Sequence, residues 1–278
     1  MSSAWDRFVH EAVTSDASLE SGVHGAQTRP APYLEELDDD ALIGSIPRAA
    51  LYIQYAPIVD LHSFRTVAFD CALHCRADGL TRPEDLLARA KFEHSLGDLG
   101  RISRELALQE CRGRAVFVPV HLPEIQEGHL LHPDDPVATH DAEVFALTSL
   151  WPASKDDLQI VRELCDKPNV KLAIDDFGAE HSNIAALVDL APDLVKLTPR
   201  LVDGLVADER RQQAVARLLE LISSLGAHVV AKGLRNEHEL KTLRDCGVRF
   251  GQGLLFGAPR DLPHVALYRD FAPPPQDC

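Results

Sequence analysis

Asp175 and Asp176 stand side by side after the apolar run Val170 to Ile174. Two neighbouring carboxylates repel one another unless a metal ion or a cationic side chain joins them, so this pair points to cation chemistry. Cys71, His74 and Cys75 form a second close set of ligand types. They are residues that hold zinc, but side chains alternate along a strand and His74 then faces away from Cys71, which argues against a zinc site. The cysteines at 71, 75, 111, 165, 246 and 278 lack CxxC spacing, and all but the last lie in or beside apolar segments, as reduced structural thiols do. His62, His121 and His181 fall singly near expected strand ends and read as surface or satisfied core residues; Trp5 and Trp151 read as packing residues.

The elements that must position these groups begin at Leu51, where strand-length apolar runs start to alternate with amphipathic helix-length stretches. Leu51 to Val59 and Arg65 to His74 read as strands joined by a turn at Leu61 to Phe64, too short for anything but an antiparallel pair. Further strands are expected at 115–121, 144–148, 170–174, 194–197, 228–231 and near 249–251. Helices are expected at 83–91, 99–111, 155–165, 182–190, 199–224 and 237–246, with Thr81 capping the first and Gly226 and Gly247 closing two others. Eight strands with helices between them predict a closed α/β barrel. Residues 1–48 are richer in Ser, Asp, Glu and Pro and read as an extension, with short helices at 4–13 and 33–43; 49–272 form the barrel and 273–278, with Pro273 to Pro275, a tail.

The chain has 278 residues, 45% of them hydrophobic, enough for one large core. A formal charge of -15 and the absence of any Lys/Arg run argue against nucleic-acid binding. No apolar stretch of about 18 residues suggests a membrane span. The acidic N-terminus does not resemble a signal peptide, so a cytoplasmic protein is expected.

Five stretches in order carry a family resemblance: Tyr55 to Asp60 (YAPIVD), Ala173 to Gly178 (AIDDFG), Leu194 to Leu197 (LVKL), Val229 to Gly233 (VVAKG), and Gly251 to Gly253 with Pro259 behind. Together they resemble the EAL domain of the bacterial cyclic di-GMP phosphodiesterases. The resemblance implies a modified (β/α)8 barrel whose first strand runs antiparallel to the rest. It also implies divalent metals held by carboxylates and an Asn at the C-terminal ends of the strands, activating a water to attack phosphorus.

Carried over residue by residue, the resemblance places the signature Glu-Ala-Leu on Asp70-Cys71-Ala72, so the first metal-binding Glu becomes Asp70, about 1.5 Å shorter in reach. The ligand Asn falls on Pro119, which offers no side-chain oxygen and requires a bulge or unpaired strand end there. The paired Glu residues of the next strand fall on Ala146 and Ser149. Asp175, Asp176 and Lys196 match; the Asp after that Lys becomes Thr198, and the two Glu residues of Ala-Glu-Gly-Val-Glu become Lys232 and Arg235. Lys232 is therefore expected to pair with Asp175 or Asp176 where a metal would sit, and no metal or other cofactor is expected.

The family's nucleotide grip falls on Ala56, His74 and Arg235 in place of Gln, Arg and Glu, while Gln252 is retained. Tight cyclic di-GMP binding is therefore doubtful, although Lys196, Lys232 and Arg235 could form a new anion pocket. The loop after the aspartates, Ala179 to Asn183, has lost the family's Gly and Tyr, which leaves monomer and homodimer both open. These residues imply a non-catalytic module that docks a protein partner in bacterial signalling. The alternatives are a non-catalytic nucleotide receptor and a weak phosphodiesterase using Asp70, Asp175 and Asp176.

Overall fold

The computed structural model describes residues 42–111, 115–126, 135–139, 144–148, 155–167, 169–179, 182 and 184–263. Most of the N-terminal extension, the helix expected at 4–13, all but the last two residues of the helix expected at 33–43, and the tail lie outside these residues. The part of the extension that is described forms a hairpin, β1 (Leu42–Ile43) and β2 (Ile46–Pro47), where no strand was expected. Ile43 and Ile46 bury their side chains against Leu86, Leu96, Leu99 and Ile102.

Eight strands close into a barrel: β3 (Leu51–Asp60), β4 (Thr66–Cys75), β5 (Ala115–Pro119), β6 (Val144–Thr148), β7 (Val170–Phe177), β8 (Leu194–Leu197), β9 (His228–Lys232) and β10 (Phe250–Gln252). β3 pairs antiparallel with both β4 and β10, and the remaining pairs are parallel, as the short turn after β3 requires. The turn is pinned by Asp60, whose Oδ1 accepts the N–H groups of His62 and Ser63 at 2.9 and 3.0 Å and whose Oδ2 accepts Arg249 Nε at 2.9 Å.

Burial would raise the Asp60 pKa, but these donors outweigh it and hold the carboxyl below its usual range. A depressed carboxylate adds stability above its unfolded pKa of about 3.9, and that stability is lost as pH falls through the folded value. Asp60→Asn is therefore expected to lower stability by about 2 kcal/mol at pH 7 in urea unfolding, with the deficit closing at acid pH. A deficit that persists undiminished at the acid end would show that the charge is not its cause.

The helices are α1 (Pro83–Phe92), α2 (Leu96–Glu110), α3 (Leu122–Gln126), α4 (Pro136–Thr139), α5 (Lys155–Cys165), α6 (Ile184–Leu190), α7 (Pro199–Val202), α8 (Glu209–Ser224) and α9 (Glu237–Asp245). Thr81 does not cap α1. Arg82 occupies the cap position without a side-chain cap bond, and Pro83 with Glu84 and Asp85 favours the first turn. The single helix expected over 199–224 is broken: Gly204 takes φ 75°, and Asp208 caps α8 by accepting the Arg211 N–H at 3.1 Å. Gly226 and Gly247 close their helices at φ 83° and 95°, as expected.

Two apolar layers follow from strand alternation. One face of each strand packs on the helices, with Phe69, Cys71, Val116, Val118, Leu172, Ile174, Val195 and Leu197 against Ala107, Leu108, Leu187 and Leu219. The other fills the lumen with Ile58, Ala68, Phe117, Ala173, Leu194, Val230 and Phe250.

Candidate functional site

Side chains two residues apart share a strand face, so the lumen residues predict what stands at the rim one step further along. Ala68 is followed by Asp70, Phe117 by Pro119, Ala173 by Asp175, Leu194 by Lys196, Val230 by Lys232 and Phe250 by Gln252. Six of the candidate positions are brought to one end of the barrel by this periodicity alone. Asp176 joins them by a different route: at φ 50° it leaves the strand alternation, and the ladder between β7 and β8 shifts register there. A left-handed backbone at a non-glycine residue is a strained conformation that functional sites often hold.

Lys232 Nζ donates to Asp175 Oδ1 at 2.9 Å and to Asp176 Oδ1 at 2.8 Å. The Asp176 N–H also donates to Asp175 Oδ1, at 2.8 Å. Lys196 Nζ, fully buried, lies 2.7 Å from Asp70 Oδ2, and Gln252 Nε2 donates to the same oxygen at 2.7 Å. The lysine contact is an ion pair out of line for a hydrogen bond, so Lys196 Nζ, like Gln252 Oε1, has no hydrogen-bond partner among the described residues.

Burial acts against the charges of Asp175 and Lys232, yet their partners prevail. Burial would raise the Asp175 pKa, but Lys196 and Lys232 hold it below the ordinary carboxylate range. Burial would lower that of Lys232, but Asp175, Asp176 and Asp70 push it well above the usual lysine value. The expected pairing of Lys232 thus takes in both aspartates rather than one.

Pro119 ends β5: the ladder to β4 reaches only Phe117, while Pro119 itself pairs with Leu147 of β6. Ala146 stands in register with Val118 and Leu172, and Leu147 is the residue level with Pro119. Ser149 lies outside the described residues.

The three cations named for an anion pocket are each held by carboxylates. Lys196 and Lys232 are held by the aspartates, and Arg235 is held at its head by Asp203 and Glu239, with Glu239 Oε1 at 3.0 Å from Nη2. Ala56 and Arg235 line a separate cavity of about 330 Å³ with Pro57, Gln252 and Leu254. His74 lies away from it, its ring 5.5 Å from that of Tyr52, and burial lowers its pKa.

The thiols bear out the structural reading where they are described. Cys71, Cys75, Cys111, Cys165 and Cys246 are free, and Cys71 and Cys75 belong to different apolar clusters. Burial pushes Cys71 well above its ordinary value and Cys165 up to about 12, which suppresses the reactive thiolate.

Sequence reasoning missed a buried charged group beside the rim. Arg104 of α2, wholly buried, donates to Glu124 Oε2 at 2.6 Å and to Asp135 Oδ2 at 2.8 Å. Glu124 Oε1 in turn accepts the N–H of His121 at the end of β5. An Arg on the apolar side of an amphipathic helix was the available signal; its partners lie in short segments with no periodicity.

Residues 143–259 match the family model described as EAL domain. Over 115 residues the chain is 36% identical to the probable cyclic di-GMP phosphodiesterase PdeD of Escherichia coli, a match that covers 41% of this chain and 20% of PdeD. The chain thus spans about a fifth of that relative's length. The crystal structure of an EAL domain protein from Listeria monocytogenes superposes with a TM-score of 0.69 at 20% identity, covering 78% of this chain and 91% of that one. The PaMucR phosphodiesterase in complex with c-di-GMP gives a TM-score of 0.67 at 21% identity over 76% of this chain and 92% of that one. Among the described residues no helix is long and apolar enough to cross a membrane. With the antiparallel first strand and the ordered landmarks, these matches agree: the barrel has the fold of EAL domains, and residues 143–259 are similar in sequence to the EAL domain of cyclic di-GMP phosphodiesterases.

Proposed function

We propose that this EAL domain is a non-catalytic regulatory module in cyclic di-GMP signalling, which acts on a protein partner rather than by hydrolysis. The observation that carries the reading is the ammonium of Lys232, 2.9 and 2.8 Å from two adjacent aspartates. A divalent cation needs six or more oxygen donors drawn close around it. Here an ammonium already takes up Asp175 and Asp176, a second takes up Asp70, and Pro119 has no donor to add. This donor set does not suit a metal.

The test is incubation of the full chain with cyclic di-GMP and millimolar Mg²⁺ or Mn²⁺, followed by chromatography. No linear dinucleotide above the protein-free control is expected; turnover comparable with an active EAL domain would overturn the reading.

Weak or absent nucleotide binding belongs to the same proposal. It is supported by Ala56 and His74, which stand where the resemblance calls for an amide and a guanidinium, and by Arg235, whose charge is already met by Asp203 and Glu239. One observation favours a receptor instead: the cavity at Ala56, Pro57 and Gln252 persists, and PaMucR, of like fold, is a c-di-GMP complex. Calorimetry separates the two, with a dissociation constant below about 10 µM favouring the receptor.

A further inference from the structure

A second cavity, of about 410 Å³, extends from the aspartate pair at the rim to helices α1 and α2 outside β4 and β5. Its volume falls in the range of small-molecule sites. Leu73, Leu86 and Leu99 make its walls largely apolar. Two features of the lining are polar, an unpaired hydroxyl and a rim whose carboxylates outnumber its ammonium groups. Ser103 of α2 is only 2% exposed, lines the cavity, and its hydroxyl has no hydrogen-bond partner among the described residues. A buried hydroxyl left unpaired is a standing cost that a ligand's polar group would relieve.

The second feature is the sign of the rim. Asp70, Asp175 and Asp176 carry three negative charges against the two positive charges of Lys196 and Lys232, which leaves a formal charge of -1. Asp176 is the most open of the three, its side chain 53% exposed. His121, also in the lining, has its pKa lowered by burial and adds no positive charge at neutral pH. An anion entering this cavity meets carboxylates already short of cations; a cation meets a partner.

From the apolar walls, the unpaired hydroxyl and the negative rim, we infer that this cavity binds a small primary amine with an apolar, hydroxyl-bearing body. Its ammonium sits at Asp175 and Asp176 and its hydroxyl at Ser103, from different walls of the cavity. The inference rests on the reading that a lysine, not a metal, neutralises the aspartate pair.

The test is calorimetry of the full chain in chelator with three probes of one shape: tyramine, phenethylamine, which lacks the hydroxyl, and 4-hydroxyphenylacetate, which replaces the amine by a carboxylate. Tyramine is expected to bind one to one, phenethylamine about fivefold more weakly and the anion more weakly still. Ser103→Leu fills the cavity and should abolish binding of both amines while the far-ultraviolet spectrum and cooperative melt persist. Should that variant not fold, Ser103→Ala provides the measurement: tyramine should fall to the affinity of phenethylamine, whose own binding is unchanged. The inference is overturned if tyramine gives no binding up to about 10 mM, if the anion binds as tightly, or if the foldable Ser103 variant binds tyramine like the native chain. Hydrolysis of cyclic di-GMP would sink the non-catalytic reading whatever calorimetry gives, whereas absent tyramine binding sinks only this inference.

Discussion

Replacing Arg104 by Met should lower the unfolding free energy by about 3–5 kcal/mol, the largest effect expected of a single substitution in this chain. The guanidinium is wholly buried, with Glu124 Oε2 at 2.6 Å and Asp135 Oδ2 at 2.8 Å. Burial alone would lower the Arg104 pKa, but the two carboxylates raise it, so the side chain is firmly charged. Met fills similar volume but leaves two carboxylates facing each other with no cation and no route to water. Much of the loss would come from those abandoned charges. Replacing Arg104, Glu124 and Asp135 together by apolar residues should therefore cost far less than the single change.

The packing around the triad is close enough to report on it independently. A Cβ added at Gly100 would lie 1.9 Å from Glu124 Oε2, so Gly100→Ala must displace that carboxylate from Arg104. Urea unfolding followed by circular dichroism measures both variants. If Arg104→Met unfolds within about 1 kcal/mol of the native chain, the triad does not hold α2 and α3 in place.

Much of the barrel was legible because its strands are continuous apolar runs, and the rim was legible because strand alternation is rigid. Once Leu194 and Val230 are lumen residues, Lys196 and Lys232 have nowhere else to point than the rim. What escaped prediction has equally physical reasons. The hairpin at Leu42–Pro47 contributes strands of two residues, too short to show a period, and is held by contacts of Ile43 and Ile46 with distant helices. The left-handed turn of Asp176, which lets one ammonium reach both aspartates, follows from local strain that no spacing rule contains.

That shared ammonium supports the second large prediction, on Lys232→Met. The substitution removes the cation between Asp175 and Asp176 while keeping the hydrocarbon stem, and stability at pH 7 is expected to fall by about 2 kcal/mol, less than for Arg104 because the pair is partly open to water. The sign of the pH dependence is fixed by the shifts. Asp175 is held below its ordinary pKa in the native chain, so its pairing adds stability above the unfolded value of about 3.9 and loses it as pH falls through the folded one. Without Lys232 the two carboxylates face each other, protonation of one relieves the repulsion, and the deficit should narrow as the solution is acidified toward pH 4. Divalent cations give the sharper contrast. In the variant Asp175 and Asp176 regain unpaired oxygens beside Asp70, so millimolar Mn²⁺ should raise its melting temperature, by the equivalent of about 1.4 kcal/mol at tenfold excess over the dissociation constant, and leave the native chain unchanged. A native chain that Mn²⁺ stabilises as strongly as the variant would mean that the lysine yields its place to metal, and with it would go the ground for calling this barrel non-catalytic.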